Sequence, residues 1–333
     1  MSKQPVIDVH AHYYPAPYLA LLKHHGFPAD TVYSTADPRK PDDPGSRTHK
    51  LRDRAFTELD LRLAAMDRQG VDVHALSLPP PYAFARNGEL LVKIARTFND
   101  AASAAHCAHP DRLVGLATLP VHDPAEAIKE LERAAQLPGI RGVGLGTRFA
   151  ERDLSDPAFF PLYERIAALK LPIFLHYAPL TVIGMGDRLT RFHLANLIGN
   201  TTETAIAAAH LIFGGVLDAF PTLEVCLPHS GGVFPILIGR FDRGFHVRAE
   251  CNHLPHAPSH YLRRFTYDTV CHSEAVMEFL IRLVGVDRIA LGSDYCFDMG
   301  YENPVEALQA ITGLDASNRA KVLGGNAARL LGL

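Results

Sequence analysis

Short runs of apolar residues alternate along the chain with longer segments whose apolar positions recur every three or four residues. The short runs predict strands at 6–12, 71–78, 113–119, 142–147, 172–177, 224–229, 265–270 and 288–294. Segments such as 61–66, 127–132, 160–169 and 275–284 carry the helical spacing. Most of the strand runs are continuously apolar, as expected of strands covered by helices on one face and a barrel core on the other. Eight such strands with helices between them predict one domain spanning 1–333, an α/β fold of the distorted (β/α)8 TIM-barrel class. A doubly wound open sheet is the competing topology, but no Gly-rich dinucleotide fingerprint follows the first strand.

Residues 13–55 break the alternation. Prolines recur there (Pro15, Pro17, Pro28, Pro38, Pro41, Pro44) and periodicity is weak, so the stretch is expected to be an insertion over the barrel mouth after strand one. The tail 318–333 reads as a terminal helix packing on the outside.

Composition narrows the function classes. Of 333 residues, 47% are hydrophobic and 21% charged, which excludes wholesale disorder. A formal net charge of −3 without a basic run argues against nucleic acid and points to a small-molecule partner. No basic region with a following apolar stretch marks a signal peptide. The most apolar stretch, 205–220, is interrupted by His210 and Asp218 and is too short to cross a membrane comfortably. Five cysteines without a C-x-x-C pair suggest reduced thiols and a cytoplasmic location.

Active-site residues of such barrels come from the C-terminal ends of the strands. Here four strands end in metal-capable residues. Strand one carries His10 and His12, which share a face because side chains alternate. Strand five ends in His176 and strand eight in Asp294. A lone histidine there is more often a hydrogen-bonded structural residue, and a lone aspartate more often caps a turn. Their joint occurrence at one end of one barrel argues for a site holding one divalent metal ion, zinc foremost and manganese as the alternative. Strand four, 142–147, offers no lysine to bridge a second metal, and Lys170 precedes strand five at the wrong end.

His229, ending strand six, is then a spare imidazole beside a metal-bound water whose proton it can take. The following Ser230-Gly231-Gly232 allows a sharp turn and leaves room for substrate; a helix-capping histidine is the structural alternative. Asp294 doubles as ligand and catalytic carboxylate. Arg240 can grip a substrate carboxylate or can be a solvated helix charge paired with Asp242 or Glu250, and spacing leaves both open. Lys50, Arg52 and Arg54 can face the mouth or simply carry surface charge.

Taken in order, 7–12 (IDVHAH), 66–71 (MDRQGV), 116–120 (LATLP), 213–216 (FGGV), 229–232 (HSGG), 239–241 (GRF) and 291–295 (LGSDY) resemble the amidohydrolase-related family typified by 2-amino-3-carboxymuconate-6-semialdehyde decarboxylase. The resemblance covers nearly the whole chain. It implies a zinc barrel with His10, His12, His176 and Asp294 as ligands and His229 activating the metal-bound water. It also implies a homodimer in which Arg240 reaches the neighbouring subunit's site, and a second substrate-binding arginine from the insertion, near Lys50–Arg54. The chain departs from that pattern with Tyr177-Ala178 where Pro-Trp is frequent, with Cys296 where proline is usual, and with no tryptophan at all. These positions wall the pocket, so a different substrate is expected. The leading reading is a non-oxidative decarboxylase of a small unsaturated or aromatic carboxylic acid. A hydrolase or hydratase acting on a carbonyl or ring-cleavage product uses the same parts, and a metal-stabilised binding module is the non-enzymatic alternative.

Overall fold

The structure, a computed structural model, describes residues 4–26, 54–78, 88–149, 152–176, 187–189 and 191–333. Eight parallel strands form one sheet in chain order: β1 Ile7–His12, β2 Val73–Ser77, β3 Leu113–Thr118, β4 Ile140–Gly146, β5 Ile173–His176, β6 Val225–Leu227, β7 Phe265–Asp268 and β8 Ile289–Ala290. All eight strands foreseen from the apolar runs are present. The barrel closes between β8 and β1 without a regular ladder. Val9 N donates to Leu291 O at 2.9 Å, His12 N donates to Tyr295 O at 2.6 Å, and Ala11 forms a single parallel bridge with Tyr295. The eighth strand is shorter than its apolar run because Leu291 N turns away to donate to Val322 O.

Helices cover the outer face: α1 Ala16–His24, α2 Leu59–Gln69, α3 Gly88–Ala108, α4 Pro124–Ala134, α5 Phe160–Ala168, α6 Thr201–Phe213, α7 Phe234–Val247 and α8 Glu274–Val284. Several boundaries are written locally. The Asp123 carboxylate accepts from Ala125 N to start α4, with Pro124 at the first helical position, and Gly70 adopts φ 71° to end α2. The strongly apolar 205–220 stretch is α6 and the turn after it, with Ala207, Ala208 and Leu211 buried. Among the described residues no helix is long and apolar enough to cross a membrane.

The terminal helix corrects one expectation. Ala316–Ala320, Lys321–Gly325 and α9 (Asn326–Leu331) run on without interruption. Ala327, Leu330 and Leu331 join Ile7, Val9 and Val114 in the barrel's interior apolar cluster, so the segment does not lie on the outer wall. Gly324 makes this possible, since a Cβ there would stand 1.8 Å from Pro5 O at the entrance to β1.

Candidate metal centre

Strand β1 delivers two of the candidate ligands, His10 and His12, through an irregularity. Its register with β2 slips between Asp8 and Ala11, so β1 holds one residue more than its partner there. Val9 therefore lies in the interior apolar cluster although its neighbour His10 also faces the barrel axis. Asp8 faces outward instead. It accepts from His10 N at 2.9 Å and Ser293 N at 3.1 Å, and bonds the Ser293 hydroxyl. Burial pushes the Asp8 carboxyl up to about 6.

His10, His12, His176 and Asp294 converge as expected, one ligand atom of each lying within 4.8 Å of the others. His12 Nε2 is 2.9 Å and His10 Nε2 3.3 Å from Asp294 Oδ1. The His176 ring lies edge-on to both, with centroids at 5.2 Å from His10 and 4.7 Å from His12. His229 completes the ring of imidazoles, its Nε2 3.8 Å from Asp294 Oδ2.

The hydrogen bonds behind the imidazoles set their tautomers. Asp268 Oδ2 stands 2.7 Å from His10 Nδ1, and a carboxylate only accepts, so Nδ1 carries the proton and Nε2 turns its lone pair inward. Ser77 Oγ donates to Ala11 O, which leaves it to accept from His12 Nδ1 at 3.0 Å. Neutral His12 thus presents a lone pair to a carboxylate oxygen 2.9 Å away. Two acceptors at that distance call for a shared cation. His10 Nε2 is buried and makes no hydrogen bond. Three imidazole nitrogens and one carboxylate, all aimed inward, fit a divalent ion of borderline character.

Electrostatics agree. Burial opposes charge on His10, but Asp294, Asp268 and Asp8 outweigh it and push the imidazole up to about 9. Burial takes His12 down to about 4 and His176 well below the ordinary histidine value. Burial also opposes ionisation of Asp294, yet His10, His12 and His229 hold its carboxyl well below the usual carboxylate range.

The remaining site expectations divide. Arg240 is exposed on α7, joins none of the described ion pairs, and does not line the cavity beside the cluster. Its suggested partner Asp242 accepts from Ser259 N instead. Arg54 is exposed and bonds Glu58 at 2.6 and 2.8 Å. Lys50, Arg52 and Tyr177-Ala178 lie outside the described residues. Asp268 escaped the sequence reading, which carried its strand on to 270, whereas β7 ends at Asp268 itself. Also missed was Arg62, fully buried behind β1, bonding His12 O and His74 Nδ1 and lying 4.9 Å from the centre of the Tyr295 ring.

Eight parallel strands in a barrel bring three histidines and an aspartate together at their C-terminal ends, a group suited to holding one metal ion. A family model described as amidohydrolase matches residues 7–333, and the chain belongs to this family. It is 32% identical to a 2-amino-3-carboxymuconate-6-semialdehyde decarboxylase of Dictyostelium discoideum, over 82% of this chain and 76% of that one. It is 28% identical to a gamma-resorcylate decarboxylase of Rhizobium radiobacter, over 87% of this chain and 92% of the relative. Among solved structures, the 5-carboxyvanillate decarboxylase of Sphingomonas paucimobilis superposes with a TM-score of 0.84 at 27% identity, covering 99% of this chain and 100% of that one.

Proposed function

We propose that this protein is a metal-dependent, non-oxidative decarboxylase of a small unsaturated or aromatic carboxylic acid. The observation that carries the reading is the placement of His229. Its Nε2 borders the ligand cluster while the side chain opens on a cavity of about 290 Å³ that Asp294 also lines. Val270, Phe279 and Leu280 give that cavity apolar walls, and Asn200 and His272 give it polar ones, as suits a planar carboxylic acid. The named activities of the relatives support the same class of chemistry.

His10, His12, His176 and Asp294 would hold a divalent ion, which would supply Lewis-acid chemistry at this site. Zinc is the ion of first choice for this donor set and manganese the second. The residues do the rest. The bond from substrate carbon to carboxylate breaks, its electron pair stays on carbon and carbon dioxide leaves. His229 delivers the proton that this carbon gains and recovers one from solvent through the cavity. A second copy would bring Arg240 to the substrate carboxylate, with Lys50 or Arg52 as further cations. Ile236, 67% exposed one turn before Arg240 on α7, gives such an interface an apolar centre. The free cysteines suit a cytoplasmic enzyme.

A panel of aromatic and unsaturated carboxylic acids, followed by carbon dioxide release, tests the reading. His229→Asn is expected to lower turnover about 10²- to 10⁴-fold at unchanged metal content. Water uptake without carbon dioxide would favour the hydrolase or hydratase instead. Mixing the His229→Asn and Arg240→Ala variants should restore part of the activity if Arg240 acts across the interface; no recovery refutes that placement.

A further inference from the structure

Asp268 is a buried carboxylate that the chemistry above does not use. Its Oδ2 accepts from His10 Nδ1 at 2.7 Å and from His229 N at 3.0 Å. Its Oδ1 accepts from Ser230 N at 2.7 Å and Val270 N at 3.1 Å. The Ser230 hydroxyl donates to the Asp268 carbonyl at 3.1 Å. Four N–H groups thus converge on two oxygens, from β1, from the turn after β6 and from the end of β7 itself.

That turn needs an anchor. His229 and Ser230 have φ of 53° and 55°, the left-handed region that side chains disfavour, and Gly231 and Gly232 continue it at 79° and 57°. In this conformation successive amide N–H groups point to one side, and the Asp268 carboxylate occupies the position an anion takes in a backbone nest. Gly292 lets Asp268 approach β1, since a Cβ there would stand 2.8 Å from Asp268 Cβ and 3.0 Å from His10 Cβ.

We propose that Asp268 is a positioning residue for this reaction. One carboxylate fixes the tautomer of the ligand His10 and holds the His229–Ser230 turn, and so sets where the proton-handling imidazole stands relative to the metal. The role rests on the metal-centre reading of the proposed function, and its test is made without substrate, so that a failure to find decarboxylation does not bear on it.

The test uses Asp268→Asn in the full chain. Asparagine keeps the shape but replaces one acceptor oxygen with a donor, so N–H must face N–H at one partner or more. Zinc affinity of the stripped protein, measured by chelator competition, should fall 10- to 100-fold. Hydrogen exchange over 229–233 should quicken at least tenfold. Affinity within twofold of wild type, or unchanged exchange in the turn, overturns the proposal. A lower melting temperature of the stripped protein at unchanged affinity also overturns it, because that result marks a purely structural residue. Should the variant not fold, ¹⁵N-histidine spectra of the wild type decide. In the zinc-loaded protein, His10 protonated at Nδ1 supports the role, and His10 protonated at Nε2 refutes it.

Discussion

Gly232→Ala is the sharpest probe of how the His229 turn is built. Gly232 has φ 57° and ψ −131°, a combination open only to glycine. A Cβ added there would sit 2.1 Å from Thr201 O, 2.8 Å from its carbonyl carbon and 2.9 Å from its Cα. All three atoms are backbone at the start of α6, so no side chain can swing aside. Ordinary contact begins at 3.4 Å, and relief therefore needs a shift of more than about 1 Å between the turn and α6. Backbone strain of roughly 1–3 kcal/mol adds to overpacking of about 1–3 kcal/mol, for a loss of about 2–6 kcal/mol. Against a whole-protein stability on the order of 5–15 kcal/mol this is severe. Denaturant unfolding of metal-stripped protein measures it. Gly239→Ala is the control: nothing lies within 4 Å of its Cβ, and the exposed helical site should gain roughly 0.5–1 kcal/mol. A Gly232→Ala protein within about 1 kcal/mol of wild type would refute the close approach of turn and helix.

Two further outcomes follow from the charges. With His10 at about 9 in the metal-free protein, a metal entering at pH 7 must displace its proton. Affinity should climb about tenfold per pH unit from 7 towards 9 and then level, and calorimetry in buffers of different ionisation enthalpy should find about one proton released per ion; a pH-independent affinity refutes the assignment. Burial pushes the Cys226 thiol well above its ordinary value inside the barrel, whereas Cys107 is exposed on α3. A thiol reagent on the native protein should label Cys107 first and leave Cys226 untouched until unfolding, and early labelling of Cys226 counts against the packed interior.

What could be read in advance depended on whether the physics was local. Most barrel strands announce themselves because burial on both faces favours an apolar run, and the candidate ligands because they interrupt such runs towards the end that opens on the mouth. The bulge in β1 left no such mark. Strict alternation already put His10 and His12 on one face, and only the pairing with β2 reveals that Val9 shares the interior with them. The terminal helix was legible as a helix, but its docking depends on Gly324 meeting Pro5, two residues at opposite ends of the chain. Arg62 lies between Leu61 and Leu63 with nothing local to mark its burial. Its burial is made tolerable by the His12 carbonyl and by the rings of Tyr13 and Tyr295, none of them within helical reach of it.

Asp268 marks the boundary between the two kinds of information. Asp294 closes its apolar run in the sequence, whereas Asp268 lies inside the run 265–270 and closes its strand only in the structure. What separates the two aspartates is not residue type but which way the neighbouring donors point. Asp294 meets imidazole nitrogens, whose protons a cation can replace. Asp268 meets three backbone amides as well as His10, and amide protons do not leave, so it is bound to the scaffold rather than available to an ion. A barrel that brings one carboxylate to the cation and another to the groups around it can keep the first reactive while the second holds it in register. That division of labour becomes visible only when the backbone of the turn after β6 is seen in its left-handed course.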